Sequence, residues 1–309
     1  MKKLFLLTLL ILLLPLWGCG GGTPVWGANY YVDSAITDTN PASATCDFTT
    51  YNPVTFETTG GTACVYKTIA DVNAKSFTAG DFVYFRKDQT WREQLTVPSS
   101  GSAGSPITFG AYGSGASPII SGALIAASGS WTRPDAGNYP NVWQATDTVE
   151  PKEIWFDGTK GTLVASGSPT YVNVNSANEW LWASDVLYVY STSNPATAYT
   201  SPGVEVPYYT EALLIDTKSY ITIDGIIFER GRIRGISFGG EGASNVIIKN
   251  STVRYNGNTS GDAVRLSSAL DASGTNHLFQ NNTVHANMGY GINISKYHAT
   301  SGNENIFSD

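Results

Sequence analysis

Of the 309 residues, 42% are hydrophobic and 14% charged, with 32 glycines and a formal net charge of −7. This balance excludes a disordered chain, and the acidic charge disfavours nonspecific nucleic-acid binding. Long runs with a helical apolar period are nearly absent, so the chain reads as all-β.

The start, MKKLFLLTLLILLLPLWGCGGG, is a targeting segment. Lys2 and Lys3 make a basic head, and Leu4 to Leu16 make an apolar run of roughly 13 residues, short of the ~20 that span a bilayer. The run ends in Leu16-Trp17-Gly18-Cys19, which resembles a bacterial lipobox. That resemblance implies a signal peptide over 1–18, lipidation of Cys19 and a flexible tether over 19–28. The protein is then exported and lipid-anchored to the bacterial cell envelope, at the outer membrane, or else secreted after ordinary cleavage. The membrane is met through the anchor only.

Residues 29–123 read as an N-terminal cap and the first of a series of short strands. NYYVDSA alternates, and Cys46 and Cys64 flank a surface loop that a disulfide would clip. Thr68 with Asp71 three residues on is a capping box, predicting a helix from Thr68 to Ser76. DFVYFRK, EQLTVPS, PITFGAY and PIISGALI then follow as strands between Gly, Ser and Pro clusters. Residues 124–210 are rich in Trp and Tyr and read as an antiparallel β insertion, with Asp157-Gly158 as a hairpin signal. Trp143, Trp155, Trp180 and Trp182 are candidates for sugar stacking, against the plainer reading as packing.

From 211 to 309 the chain repeats. SYITIDGIIFERG, SNVIIKNSTVRYNG, TNHLFQNNTVHANMG and ENIFSD align. Asn245, Asn276 and Asn305 share one column. Ile223, Ile248 and Phe279 share a second; Gly225, Asn250 and Asn281 a third; Phe228, Val253 and Val284 a fourth. GISF, AVRL and GINI match as a further strand. Such a period is that of a solenoid with two or three strands per turn. Asn250 and Asn281 then sit at a tight corner as a hydrogen-bonded amide ladder on the core wall, with Gly225 where the ladder starts. ENIFSD begins another coil, so the chain is expected to be a fragment, with catalytic coils beyond Asp309.

The segments from NYYVDSA through LYVYSTSNPA and the coils from 220 onward resemble the right-handed parallel β-helix, or pectate-lyase-like, proteins. The resemblance covers nearly the whole exported chain. It implies a right-handed parallel β-helix closed at its N-terminal end by a short helix, and a carbohydrate-active role. Lyases of that kind use a Lys/Arg pair with acidic calcium ligands. No such set maps onto this sequence, so calcium rests on the resemblance alone and the cofactor stays open.

Stacking brings outward residues into rows, with neighbours within a row about 5 Å apart. One row is Glu229, Arg254 and His285, a second is Arg234, Asp262 and Tyr290, and a third is Ser237, Arg265 and Asn293. A uronate lyase needs a cation to neutralise the carboxylate and a base: Arg254 or Arg265, with His285 or Tyr290. A glycosidase needs two carboxylates, and Glu229 and Asp262 are the pair in these coils. Arg234, Tyr290 and Asn293 are candidate substrate contacts. The plainer reading of each charged residue is a cross-strand ion pair worth under about 1 kcal/mol. His277 falls in an inward column and reads as a core histidine. The function expected is a polysaccharide lyase or glycoside hydrolase of the cell envelope, acting as a monomer on polysaccharide. The alternative is a noncatalytic carbohydrate-binding or adhesin-like solenoid.

Overall fold

The computed structural model describes residues 27–36, 48–58, 61–126, 131–239, 242–257, 268–273, 276–288, 290–295 and 306–308. Three sheets form the body, parallel throughout except where Phe48–Tyr51 pairs antiparallel with Ala63–Tyr66 at one edge of sheet 1. Sheet 1 has nine strands, and from Asn29–Val32 onward its order is Phe82–Arg86, Ile107–Tyr112, Ile221–Asp224, Val246–Lys249, Leu278–Gln280 and Ile306–Ser308. Sheet 2 stacks Thr90–Trp91, Ile119–Ser121, Ile227–Glu229, Thr252–Arg254 and Thr283–His285. Sheet 3 stacks Leu95–Thr96, Glu211–Leu214, Arg234–Ser237, Ser268–Ser273 and Tyr290–Ser295. The chain visits the sheets in the order 1, 2, 3, so each coil has three strands.

The register is that of the repeat. Phe109, Ile223, Ile248 and Phe279 lie opposite one another in sheet 1, and Ile120, Phe228, Val253 and Val284 do so in sheet 2. All but Val284 are fully or almost fully buried. Each such side chain contributes roughly 1.5–3 kcal/mol of apolar burial. His277 joins this core at 1% exposure; its Nδ1 accepts from the Val246 N–H, and its ring meets Phe238 edge-on.

In the third, fourth and fifth coils the backbone is left-handed at three corners. The residues are Tyr220, Asn245 and Asn276 before sheet 1, then Gly225, Asn250 and Asn281 before sheet 2, then Arg230, Tyr255 and Ala286 after it. Glycine and asparagine take this conformation at little cost. The Asn250–Asn281 ladder exists: Asn281 Nδ2 donates to Asn250 Oδ1 at 3.3 Å. Two details differ from expectation. Both residues are exposed, and the column begins on the Asp224 carboxylate, to which Asn250 Nδ2 donates at 2.8 Å. At φ near +50° the side chain leans outward, away from the core. The buried amide column is another one. Asn256, 1% exposed, accepts from Gly231 N–H at 2.7 Å, and Asn287 Oδ1 accepts from Asn256 N–H at 3.0 Å.

Sheet 3 departs from expectation in one coil. Ile236 faces Leu270, and Leu270 faces Ile292. The strand that pairs with GISF and GINI is SALDAS; AVRL lies outside the described residues. SALDAS does not alternate, with Ala269 beside Leu270, and its register is set by stacking on the neighbouring coils.

Helix α1, Ile69–Ala74, is shorter than expected. The Thr68 hydroxyl accepts from Asp71 N–H at 3.2 Å, and Ile69 and Val72 enter the core. Cys64 is disulfide-bonded; Cys46 and Cys19 lie outside the described residues.

Between the second coil's strand in sheet 2 and Glu211–Leu214 in sheet 3, the chain leaves the solenoid and builds two more sheets. Sheet 4 is antiparallel, in the order Thr159–Lys160, Trp155–Phe156, Val204–Pro207 and Ala123–Ile125. Sheet 5 runs Val142–Thr146, Val186–Tyr190, Glu179–Ala183 and Thr162–Leu163. Asp157 and Gly158, at φ 49° and 79°, form the two-residue loop joining Trp155–Phe156 to Thr159–Lys160. Trp143, Trp180, Phe156, Leu187 and Val189 make a separate core here. Three of the four candidate stacking tryptophans are thus spent on packing or buried: Trp143, Trp155 and Trp180 are 9%, 2% and 1% exposed.

Candidate functional site at the seam of insertion and coils

Glu229, Arg254 and His285 do lie in one row of sheet 2, preceded by Ser121. The insertion, however, folds over the start of this row. Glu229 is 2% exposed rather than open to a groove. Its Oε1 accepts from Arg230 Nη1 at 2.6 Å and its Oε2 from Arg254 Nε at 2.8 Å. Across the seam, Glu205 of the insertion is fully buried; its Oε1 accepts from the same Arg230 Nη1 at 2.8 Å and from Arg92 Nη2 at 3.0 Å. The two carboxylates thus lie within two hydrogen bonds of each other, bridged by one guanidinium. Burial pushes the Glu205 carboxyl up, against the pull of Arg230 and Arg92. Arg230 and Arg92 therefore tie the insertion's Glu205 to the coils, and Glu229 holds Arg230 and Arg254 in place. The expectation that Glu229 faces substrate is corrected: both its oxygens are already occupied.

Arg230 and Tyr255 occupy left-handed corners, at φ 55° and 57°, although neither is Gly or Asn. Such residues cost about 1–2 kcal/mol each and gather at functional positions. The corner turns both side chains out of the coil toward the insertion. The Arg230 guanidinium lies 4.9 Å from the Trp155 ring centre and 5.9 Å from that of Tyr255; Arg254 lies 5.3 Å from Tyr255. His285, exposed, meets Tyr255 edge-on at 5.9 Å.

Beside this layer opens a pocket of about 440 Å³, lined by Glu153, Trp155, Lys160, Tyr255, Asn287 and Met288 among others. Glu153 is 5% exposed, and burial pushes its carboxyl up while its ion-pair partner Lys160 opposes that. Lys160 is itself 58% exposed, so the pair has a buried acid and a solvated cation. Glu153 escaped the sequence reading because it belongs to no repeat; only the fold of the insertion carries it to the coil corner.

The remaining expected residues do not converge here. Arg234 is paired with Glu211, its register partner in sheet 3, at 2.9 Å, and Gln94 also donates to Glu211. The backbone of Tyr290 lies opposite Ser268 and that of Asn293 opposite Asp271. The backbone of Asp271 also lies opposite Ser237, so that register position belongs to Asp271. Asp262 and Arg265 themselves lie outside the described residues. Among the described residues no three His, Cys, Asp or Glu side chains gather to hold a metal, so calcium has no ligand set there.

Residues 182–309 match the model of the right handed beta helix region. The fold is thus similar to that of right-handed β-helix proteins, and the family match covers the C-terminal part of the chain. Among solved structures, one described as "The complex structure of XylC with xylose" aligns with a TM-score of 0.54 at 14% identity, over 86% of this chain and 56% of that one. One described as "Glycoside hydrolase" aligns at 0.50 and 9% identity, over 90% of this chain and 69% of that one. At these identities the likeness is one of fold, and this β-helix chain spans little more than half the length of the first. No curated protein matches it.

Proposed function

We propose that this β-helix protein acts on extracellular polysaccharide, as a lyase or glycoside hydrolase, with a sugar seated in the seam pocket. The observation that carries the reading is the pocket itself: a buried carboxylic acid, Glu153, beside the half-buried ring of Tyr255, on the corner that adjoins exposed His285. Aromatic walls suit the apolar faces of pyranose rings. A carboxyl held above its usual range suits proton donation to a departing glycosidic oxygen. The cations Arg92, Arg230, Arg254 and Lys160 outnumber the local carboxylates Glu153, Glu205 and Glu229, and they offset the acidic surface for an anionic sugar. The structures aligned over most of this chain include one holding xylose and one called a glycoside hydrolase, which fits the same class.

A second reading is a noncatalytic carbohydrate-binding solenoid. It is favoured by one observation: Glu153 is the single carboxylate among the residues lining the pocket, whereas glycoside hydrolysis uses two. The purified protein incubated with a panel of uronate-containing and neutral glycans separates the two, by reducing ends and by absorbance of unsaturated uronates. Turnover lost in Glu153→Gln with binding retained supports the enzyme. Retardation on a glycan gel without turnover, lost in Tyr255→Ala, supports the binding module. Neither cleavage nor retardation refutes both.

We also propose that α1 closes the N-terminal end of the solenoid, since Ile69 and Val72 pack into the core beside the first coil. Export and lipid anchoring through Cys19 complete the proposal; Cys19→Ala should release the protein from the membrane fraction.

A further inference from the structure

The insertion carries a second concave surface that shares no lining residue with the seam pocket. Two hollows, of about 410 and 310 Å³, meet along Ile125 and Ala126, which line both. Ile125 ends the edge strand of sheet 4, and the second hollow reaches Val142–Thr146, the edge strand of sheet 5. The surface is unusually apolar for solvent: Ile125 is 37% exposed and Tyr208 49%. Large apolar patches on a monomer mark contact sites.

Each hollow is also lined by a residue that carries a buried polar atom with no partner. Trp131, 5% exposed, lines the first, and its buried Nε1–H has no acceptor. Asp147 lines the second, and its buried Oδ2 has no donor. Buried polar atoms are rarely left unpaired, because each costs about 1–3 kcal/mol. A ligand that supplies an acceptor at one end and a donor at the other would satisfy both.

Charge narrows the ligand. No charged side chain lines the first hollow, and Asp147 is the one ionisable acid of the second. Burial pushes its carboxyl up. An anionic sugar would find no countercharge here, unlike at the seam. Neutral pyranose rings offer what remains: apolar C–H faces for Ile125, Tyr199 and Tyr208, and hydroxyls that both donate and accept. We propose that this groove is a second carbohydrate site, taking a short stretch of uncharged oligosaccharide across Ile125, with Trp131 Nε1 donating to a sugar oxygen and Asp147 accepting from a sugar hydroxyl.

The test is isothermal titration of the full chain with xylohexaose, cellohexaose and mannohexaose, with an oligogalacturonate as the charged comparison. At least one neutral hexasaccharide should bind. Ile125→Glu, at an exposed position, should weaken that binding at least about tenfold with the thermal midpoint unchanged. Trp131→Phe, which keeps an aromatic ring and removes the N–H, should weaken it by about five- to tenfold. Tyr255→Ala and Glu153→Gln should leave it intact, which separates this groove from the seam pocket. The proposal is overturned if no neutral hexasaccharide binds, if only the charged one does, or if Ile125→Glu binds as the parent does.

Discussion

Replacing Arg230 by Met tests whether the buried charges at the seam fasten the insertion to the coils. The methionine keeps an unbranched stem beside Trp155 and removes the guanidinium that donates to both Glu205 and Glu229. Arg230 is 10% exposed on its side chain, and its two partners are 0% and 3% exposed, so solvent screening is weak. Removing one partner of a buried ion pair costs about 3–5 kcal/mol. Glu205 keeps Arg92 and Glu229 keeps Arg254, which places this case near the lower end, at about 3 kcal/mol. A fall of about 5 °C in Tm should follow for a chain of this length. The pH dependence has a definite sign. Burial already holds the Glu205 carboxyl above its usual range, and loss of Arg230 raises it further. An acid whose folded value is raised binds its proton more tightly when folded, so lowering the pH favours the folded variant. The gap between parent and variant should therefore narrow from pH 7 to pH 5. Urea unfolding followed by tryptophan fluorescence at both pH values measures this, and a cycle with Glu205→Gln should show coupling above about 1 kcal/mol. A loss below about 0.5 kcal/mol, or a gap that does not change with pH, would refute the fastening role.

Three further outcomes are expected. Asn256→Ala should cost about 3 kcal/mol in urea unfolding, because a buried amide leaves Gly231 N–H and the Phe228 and Arg254 carbonyls with lost partners. Asn250→Ala, exposed at φ 51°, should cost only about 1–2 kcal/mol, mainly from the left-handed backbone. For Asp33, burial opposes ionisation, but bonds from Gln89, Tyr51, Ala35 and Arg86 outweigh it and hold the carboxyl below its usual range. Its stabilisation is thus present above the unfolded value and lost as pH falls through the folded one, so parent and Asp33→Asn should differ most near neutrality and converge below about pH 4. Glu153 runs the other way: burial raises it, so the parent loses stability as pH rises through its folded value, and Glu153→Gln should gain relative to the parent between pH 4 and pH 8 in thermal unfolding.

The coil columns were legible because they are periodic. Ile223, Ile248 and Phe279 recur at the spacing of the repeat, and hydrogen bonds between neighbouring coils put them opposite one another. The Asn256–Asn287 column was equally periodic, in VRYNG and VHANM, and went unread beside the more conspicuous Asn-Asn pair. SALDAS was not legible: Ala269 beside Leu270 breaks the alternation of a strand, and its register comes from the coils above and below it.

The site follows the same division. Sequence periodicity alone put Glu229, Arg254 and His285 in one row, since stacking neighbours in a solenoid are one repeat apart. It said nothing of what covers that row. Arg92 and Glu205 meet across 113 positions, and Glu153 reaches the Tyr255 corner only because two sheets of no periodicity fold back onto the coils. Burial turned Glu229 from a surface acid into an anchor and Glu153 into a poised one. Local pattern decides how a coil stacks; the desolvation that sets each carboxyl's chemistry comes from segments far away in the chain, and the tertiary structure alone brings them together.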